Sequence, residues 1–195
     1  HPEYWSHKMY FKLKQWVFER GGKLMYLGGN GLNCDVNFLD EFTVVYRNGS
    51  FGGGSNHLAK IGKESRFDIY YESEANLLGV RCTEEGLMTG APYRTLDASH
   101  WAFEGTDLKD GDIFGEKCLH MRCWGGASGH ETDKMSPNSP KNCRLLAKGL
   151  NPDDGGAEMV YHETESGGAV FSVGSISYPS SLPVDENISR ITKNV

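Results

Sequence analysis

SHKMYFKLKQWVFERGGKLMYLGGNG, residues 6–31, decides the fold class. Ser6 is a residue type that caps helix N-termini. After it Met9, Tyr10, Leu13, Trp16 and Val17 recur at i, i+1, i+4, i+7 and i+8, one helical face, and leave Lys12, Lys14, Glu19 and Arg20 to solvent. Gly21-Gly22 is a C-terminal breaker pair. Lys23-Leu24-Met25-Tyr26-Leu27 then reads as a short buried strand, with Gly28-Gly29-Asn30-Gly31 as the turn at its carboxyl end. Helix, glycine break, strand and glycine turn make half of an αβ unit, so the expected class is α/β with a parallel sheet.

Outward from this unit the pattern loosens. Phe42–Tyr46, Phe67–Tyr71 and Leu77–Cys82 are predicted strands, with a glycine-rich loop over Asn48–Ser55. Leu145–Ala147 and Ala157–Tyr161 read as paired short strands, and Gly168–Ser175 as the clearest late strand. Glu186–Val195 has helical spacing at Ile188, Ile191 and Val195. The 195 residues suit one domain over the whole length, and no internal repeat or long linker divides them.

Composition narrows the function. The net charge of −6, without a basic run, argues against nucleic acid or an anionic membrane surface as partner. The longest apolar run is four residues, far below the ~20 that span a bilayer. Glycine supplies 25 residues, about twice the usual share, which predicts many tight turns. The five cysteines (34, 82, 118, 123 and 143) are odd in number and irregularly spaced, so reduced thiols in a cytoplasmic protein are expected rather than a disulfide framework. The chain starts at His1, inside an apparent motif, and a preceding N-terminal portion is expected.

Several motifs carry little. Gly52-Gly53-Gly54 lacks the Lys-Ser/Thr of a phosphate loop, and the aromatic residues do not interleave with Arg or Lys as in a base-stacking platform. Cys118-Leu-His120-Met-Arg-Cys123 has no second cluster and does not match zinc spacing. His130-Glu131-Thr and His162-Glu163-Thr repeat a triplet at chance level, and His162 reads as structural.

His1-Pro2-Glu3-Tyr4-Trp5-Ser6, the helix, Gly21-Gly22 and the Gly28–Gly31 turn resemble the N,N-dimethylformamidase large-subunit family in its C-terminal domain. Further matches follow in order: Pro92-Tyr93-Arg94, Trp101–Gly105, Gly125–Asp133, Gly167–Ser175, Leu182–Asp185 and Ser189–Val195. The match is weak between residues 34 and 76. The resemblance implies a class I glutamine-amidotransferase-like fold, a parallel sheet flanked by helices with loop-rich β additions, whose ligands gather at the carboxyl ends of strands. HPEYW would occupy the strand-to-helix turn where related hydrolases carry a nucleophile. It offers only Ser6, better used as a cap, which disfavours a Cys-His-Glu amidotransferase.

The resemblance further implies hydrolysis of small N-substituted formamides by one ferric ion held by two tyrosinates and a glutamate. A hard ferric ion suits anionic oxygen, lowers the pKa of bound water and polarises a carbonyl. Tyr4 matches one ligand tyrosine, and the other belongs to a segment upstream of HPEYW. The glutamate ligand falls among Glu41, Glu64, Glu72 and Glu74. Glu131 matches an acidic position near the site, Glu3 and His1 flank the ligand tyrosine and could orient ligands or move protons, and Asn30 stands at the carboxyl end of a strand to meet substrate. The implied partners are the small amide, the missing N-terminal region or a small subunit, and a second copy in a homo-oligomer. The alternatives are a non-catalytic amidotransferase-like binding or assembly module and, more remotely, a carbohydrate-related protein with the same sheet.

Overall fold

The structure is a computed structural model, and it describes residues 2–46 and 65–195. β1 (Tyr4–Trp5), α1 (His7–Arg20) and β2 (Lys23–Tyr26) come first, followed by the short strands β3 (Cys34–Asp35), β4 (Asn37–Phe38) and β5 (Val44–Val45). Next are α2 (Phe67–Tyr70), α3 (Ala75–Leu78), β6 (Arg81–Thr83), β7 (Gly90–Ala91), β8 (Tyr93–Thr95) and β9 (Ile113–Phe114). The chain ends with β10 (Ser128–Gly129), β11 (Thr132–Lys134), β12 (Arg144–Gly149), β13 (Glu158–Glu163), β14 (Ala169–Ser172) and α4 (Glu186–Asn194).

The central sheet has six strands in the order β2-β14-β13-β12-β8-β9. Only β14 and β2 run parallel in it, Ala169 facing Lys23 and Ser172 facing Tyr26. The pairs β13/β14, β12/β13, β12/β8 and β8/β9 are antiparallel. The expected parallel sheet is therefore a mixed one here. The physical reason is connection length: β12, β13 and β14 follow one another through short turns, which join antiparallel neighbours, while β2 and β14 are distant in sequence and meet in parallel.

Alternation along β13 and β14 buries both faces of the sheet. Met159 and Phe171 join Tyr93, Phe103, Phe114, Leu146, Tyr178, Ile188 and Ile191 in one core beneath α4. Val160 and Val170 join Tyr10, Val17, Phe67, Leu77 and Leu78 in a second core beneath α1. Ser6 caps α1, its Oγ accepting the Met9 N–H at 3.3 Å, and Gly21 ends it with φ 67°. The buried stripe of α1 is narrower than its sequence predicts: Tyr10 and Val17 are buried, while Met9 and Trp16 remain exposed.

Two predicted strands are corrected. Phe67–Tyr70 is a helical turn, because Phe67 packs on Tyr10 with ring centroids 4.8 Å apart and the Tyr71 N–H bonds back to the Phe67 carbonyl. Leu77–Cys82 is split: α3 ends at Gly79, whose φ of 79° turns the chain before β6 begins. Of Phe42–Tyr46 only Val44–Val45 is strand, and the glycine-rich stretch over 48–55 lies outside the described residues. The paired strands β12 and β13, the late strand β14 and the terminal helix α4 form where predicted. All five cysteines are free thiols, and among the described residues no helix is long and apolar enough to cross a membrane.

Candidate functional site

The Gly28–Gly31 turn at the carboxyl end of β2 is stitched to β11 through one carboxylate. Asp133 Oδ1 accepts the Asn30 backbone N–H at 2.7 Å, and Asp133 Oδ2 accepts the Tyr26 hydroxyl at 2.9 Å. The Tyr26 oxygen in turn accepts the Gly31 N–H at 2.7 Å. Asn30 adopts φ 51°, a left-handed conformation that Asn tolerates. Gly29 has no room for a side chain, since a Cβ there would lie 2.3 Å from the Glu131 carbonyl oxygen. The turn thus brings the Asn30 backbone onto the Asp133 carboxylate and Gly29 against the Glu131 backbone.

Asn30 is 1% exposed, and its Oδ1 accepts from the Asn33 side-chain amide. Its Nδ2 has no hydrogen-bond partner among the described residues. The electrostatics are those of crowded carboxylates in a dry place. Burial pushes the Asp133 carboxyl up to about 7, opposed by the hydrogen bonds from Asn30 and Tyr26 and aided by Glu74 and Glu131. Burial likewise lifts Glu74 to about 7, against the attraction of Arg81. The Cys82 thiol is pushed up by burial and then by Asp133, Glu131 and Glu74. Two carboxyls that titrate near neutrality can give or take a proton at working pH.

Residues 2–5 run alongside this turn. The Pro2 carbonyl accepts the Leu32 N–H, and the Glu3 carbonyl accepts the N–H groups of Asn33 and Cys34. β1 and β3 then pair in parallel, Tyr4 beside Cys34 and Trp5 beside Asp35. Side chains alternate across this short strand: Glu3 is buried, whereas Tyr4 is 42% exposed. The Tyr4 ring lies 4.7 Å from that of Tyr46. Tyr46 lines a cavity of about 630 Å³ whose polar wall is Asp35, Asn37, Ser65, Tyr70 and Tyr71. Asp35 accepts the His7 N–H at 2.9 Å and the Tyr71 hydroxyl at 3.4 Å.

Of the four glutamates among which the ligand was expected, Glu72 and Glu74 both face Tyr10, whose hydroxyl they push up after burial. Glu41 is exposed. Glu72 accepts the Tyr10 hydroxyl at 2.8 Å and pairs with Lys14. Glu74 is buried beside Ser73, whose hydroxyl donates to it at 3.3 Å. Glu64 and His1 lie outside the described residues. His162 is structural, its Nε2 on the Leu77 carbonyl at 2.9 Å.

Sequence reading missed Asp133 and one cluster. Asp133 stands two residues beyond Glu131, on a short strand, and that i, i+2 spacing was its available signal. His120 and Cys123 find their partner in His130, not Cys118. The ligand-capable atoms of these three side chains all lie within 4.8 Å of one another. His120 Nε2 and His130 Nδ1 are 3.1 Å apart. His120 Nδ1 accepts the backbone N–H groups of Arg122 and Cys123 at 3.2 and 3.3 Å. Burial, then the Arg122 charge, hold the His120 imidazole below its ordinary value, which favours the neutral ring. No signal in the spacing joins His130 to the other two.

These features define a mixed-sheet domain with a buried carboxylate cluster near the glycine turn and an oxygen-lined cavity beside an exposed tyrosine. The chain belongs to the N,N-dimethylformamidase beta subunit-like, C-terminal family, whose model matches residues 1–191. It is 27% identical, over 241 aligned residues that take in 100% of the chain, to the N,N-dimethylformamidase beta subunit of Paracoccus aminophilus. The beta subunit of the same name from Alcaligenes sp is also 27% identical over the same span. The chain covers 30% of the length of each of these relatives.

Proposed function

We propose that this chain is the C-terminal part of a hydrolase that cleaves the C–N bond of small linear amides, N-substituted formamides in particular, with a mononuclear ferric ion. Family membership supports the reaction class. The observation that carries the metal reading is the setting of Tyr4: its phenol is exposed, against Tyr46, beside a cavity whose polar wall is phenol, carboxylate, amide and hydroxyl. That donor set fits a hard cation, as the tyrosinate on catalase haem iron does. Tyr4 would supply one phenolate oxygen. Glu74 is the glutamate already desolvated and poised near neutrality. When bound, a ferric ion supplies a Lewis acid for the carbonyl and a water of lowered pKa.

The chain's own groups do the rest. Asn30, with its buried Nδ2 uncommitted among the described residues, orients the substrate amide. Glu131 delivers a proton to the departing amine nitrogen, with Glu3 as the alternative donor. Asp133 holds the Asn30 turn, and its own carboxyl, pushed up by burial and further by Glu74 and Glu131 to about 7, holds or gives a proton near neutrality. For the architecture we propose a class I glutamine-amidotransferase-like fold with loop-rich β additions; the parallel pairs β1/β3 and β2/β14 and the helical link from β1 to β2 support it, while the other pairings of the central sheet are antiparallel. The relatives are named as beta subunits, which supports an assembly with a further subunit. The five free thiols support a cytoplasmic location.

The test is Tyr4→Phe in the complete protein, read by iron content, the visible tyrosinate-to-iron absorption and amide hydrolysis. All three should disappear while the far-ultraviolet circular dichroism stays unchanged. Retained iron and activity would overturn the reading, and a complete protein with no iron at all would favour the non-catalytic module.

A further inference from the structure

We propose that His120, Cys123 and His130 form a second cation site, for one thiophilic ion of the zinc class, and that the bound ion ties the 118–124 loop to the end of β10. A thiolate and two imidazoles are a borderline-soft donor set, which takes zinc-class ions and does not suit ferric iron. The site is separate in chemistry from the oxygen-lined cavity beside Tyr4.

The geometry is close to that of a loaded site. With metal–sulfur bonds of about 2.3 Å and metal–nitrogen bonds of about 2.0–2.1 Å, tetrahedral ligand atoms stand roughly 3.3–3.6 Å apart. Here the two imidazole nitrogens are 3.1 Å apart, and all three ligand-capable atoms fall within 4.8 Å. The remaining adjustment is a fraction of an ångström to about one.

The backbone around the site is built for this convergence. Cys118 Sγ accepts the His120 N–H at 3.4 Å and folds the loop back on itself. After Cys123 the chain is pressed against β7: Gly125 and Gly126 have φ of 124° and 147°, and a Cβ on either would lie 2.5 and 2.3 Å from the backbone of Gly90 and Ala91. His130 itself holds φ 69°, a sparsely populated conformation that turns its ring toward His120. Cys123 is 2% exposed, while both imidazoles are partly exposed, so an ion has a path from solvent and a fourth position for water or a small ligand.

Proton bookkeeping gives the loop a definite response. In the empty site His120 Nδ1 accepts two backbone N–H groups, so its Nε2 carries the proton and donates to His130 Nδ1. An ion on Nε2 moves that proton to Nδ1, and the thiol of Cys123 loses its own proton to solvent. The amides of Arg122 and Cys123 must then turn away from Nδ1. Both contacts are long, and Met121 and Arg122 are exposed, so the turn can make that change.

The experiment adds Co(II) alone to the complete protein containing this chain. One equivalent should bind, with a near-ultraviolet thiolate-to-cobalt band and the strong visible bands of a four-coordinate ion, and Zn(II) should displace it. Cys123→Ser should abolish the near-ultraviolet band, and His120→Ala and His130→Asn should each weaken binding by roughly tenfold or more. Cys118→Ser should leave the band in place. The amide resonances of Arg122 and Cys123 should move on loading. Absence of the thiolate band in the unaltered protein, or its persistence in Cys123→Ser, overturns the proposal. If Cys123→Ser does not fold, an undiminished band in the well-folded His120→Ala protein overturns it instead. Tyr4→Phe should leave cobalt binding unchanged, so this site and the iron reading fail separately.

Discussion

The two ends of β2 and β1 present opposite environments. At the carboxyl end of β2, Tyr26, Asn30 and Asp133 are at most 5% exposed and tied to one another. Along the edge begun by β1 and β3, Tyr4, Phe38, Phe42 and Tyr46 are 42, 58, 90 and 52% exposed. The same chain has a dry place where protonation is tuned by burial and a wet edge where aromatic rings are solvent-exposed. Desolvation suits proton transfer, while ligand entry needs exposure. The contrast teaches that the two halves of the proposed chemistry are separable by mutation.

The largest expected difference lies in the cores. Ile188 is fully buried beneath the sheet among Phe114, Phe171 and Tyr178. Ile188→Ala should cost about 2–5 kcal/mol in chemical denaturation, from lost transfer energy plus a cavity. Phe42→Ala, at 90% exposure, should change stability by no more than about 0.5 kcal/mol. Equal costs would mean that the edge around Phe42 is packed and that the contrast is unreal.

Protonation sharpens the same comparison. The Asp133 carboxyl has a folded value of about 7 against an ordinary 3.8. The folded state therefore binds more protons than the unfolded chain across that interval. Its contribution is fully favourable below the lower value and is lost as pH rises toward about 7, with no further loss above. Unaltered protein should become less stable from about pH 4 to 7, by on the order of 2–4 kcal/mol. Asp133→Asn should reduce that slope, Glu74 supplying the part that remains, at the cost of one acceptor for Asn30 and Tyr26. A slope of equal size in the variant would remove Asp133 as its source. Tyr4→Phe, on the exposed edge, should leave the slope unchanged.

The glycine turn was legible in the sequence, but what it touches was not. Gly28–Gly31 announced a turn at a strand end, and Ser6, Gly21, the late strands and the helix near Ile188 and Ile191 were readable from caps and periods. The partner of Gly29 is the Glu131 backbone, about a hundred residues away, and local pattern holds no record of such contacts. The same limit hid the pairings of β12 with β8, β8 with β9 and β13 with β14, the meeting of His130 with His120, and the helical turn at Phe67, whose β-like composition is overridden by packing on Tyr10. Gly29→Ala tests the contact directly. A Cβ 2.3 Å from a backbone oxygen forces backbone movement, so a cost of about 1–3 kcal/mol is expected. Amide hydrolysis should fall further than stability does, because the shift displaces Asn30 and Glu131. Full activity in Gly29→Ala would mean that the turn is not part of the site.

The smallest effects compare the helices that cover the two faces. Asp185 Oδ1 accepts the Ile188 N–H at 3.1 Å at the start of α4, with Glu186 in the first turn and Lys193 in the last. Ser6 Oγ accepts the Met9 N–H at 3.3 Å at the start of α1, an exposed contact with no acidic residue in the first turn. Asp185→Ala removes both an acceptor and a charge that complements the helix dipole, whereas Ser6→Ala removes only a long hydrogen bond. The expected costs are about 1 kcal/mol and about 0.5 kcal/mol in denaturant midpoint measurements at low salt. Raising the salt should narrow the gap, since only the charged cap is screened. If Ser6→Ala proves the costlier change, the start of α1 is held more firmly than its exposure shows. HPEYW, which leads directly into it, would then belong with the closed half of the molecule.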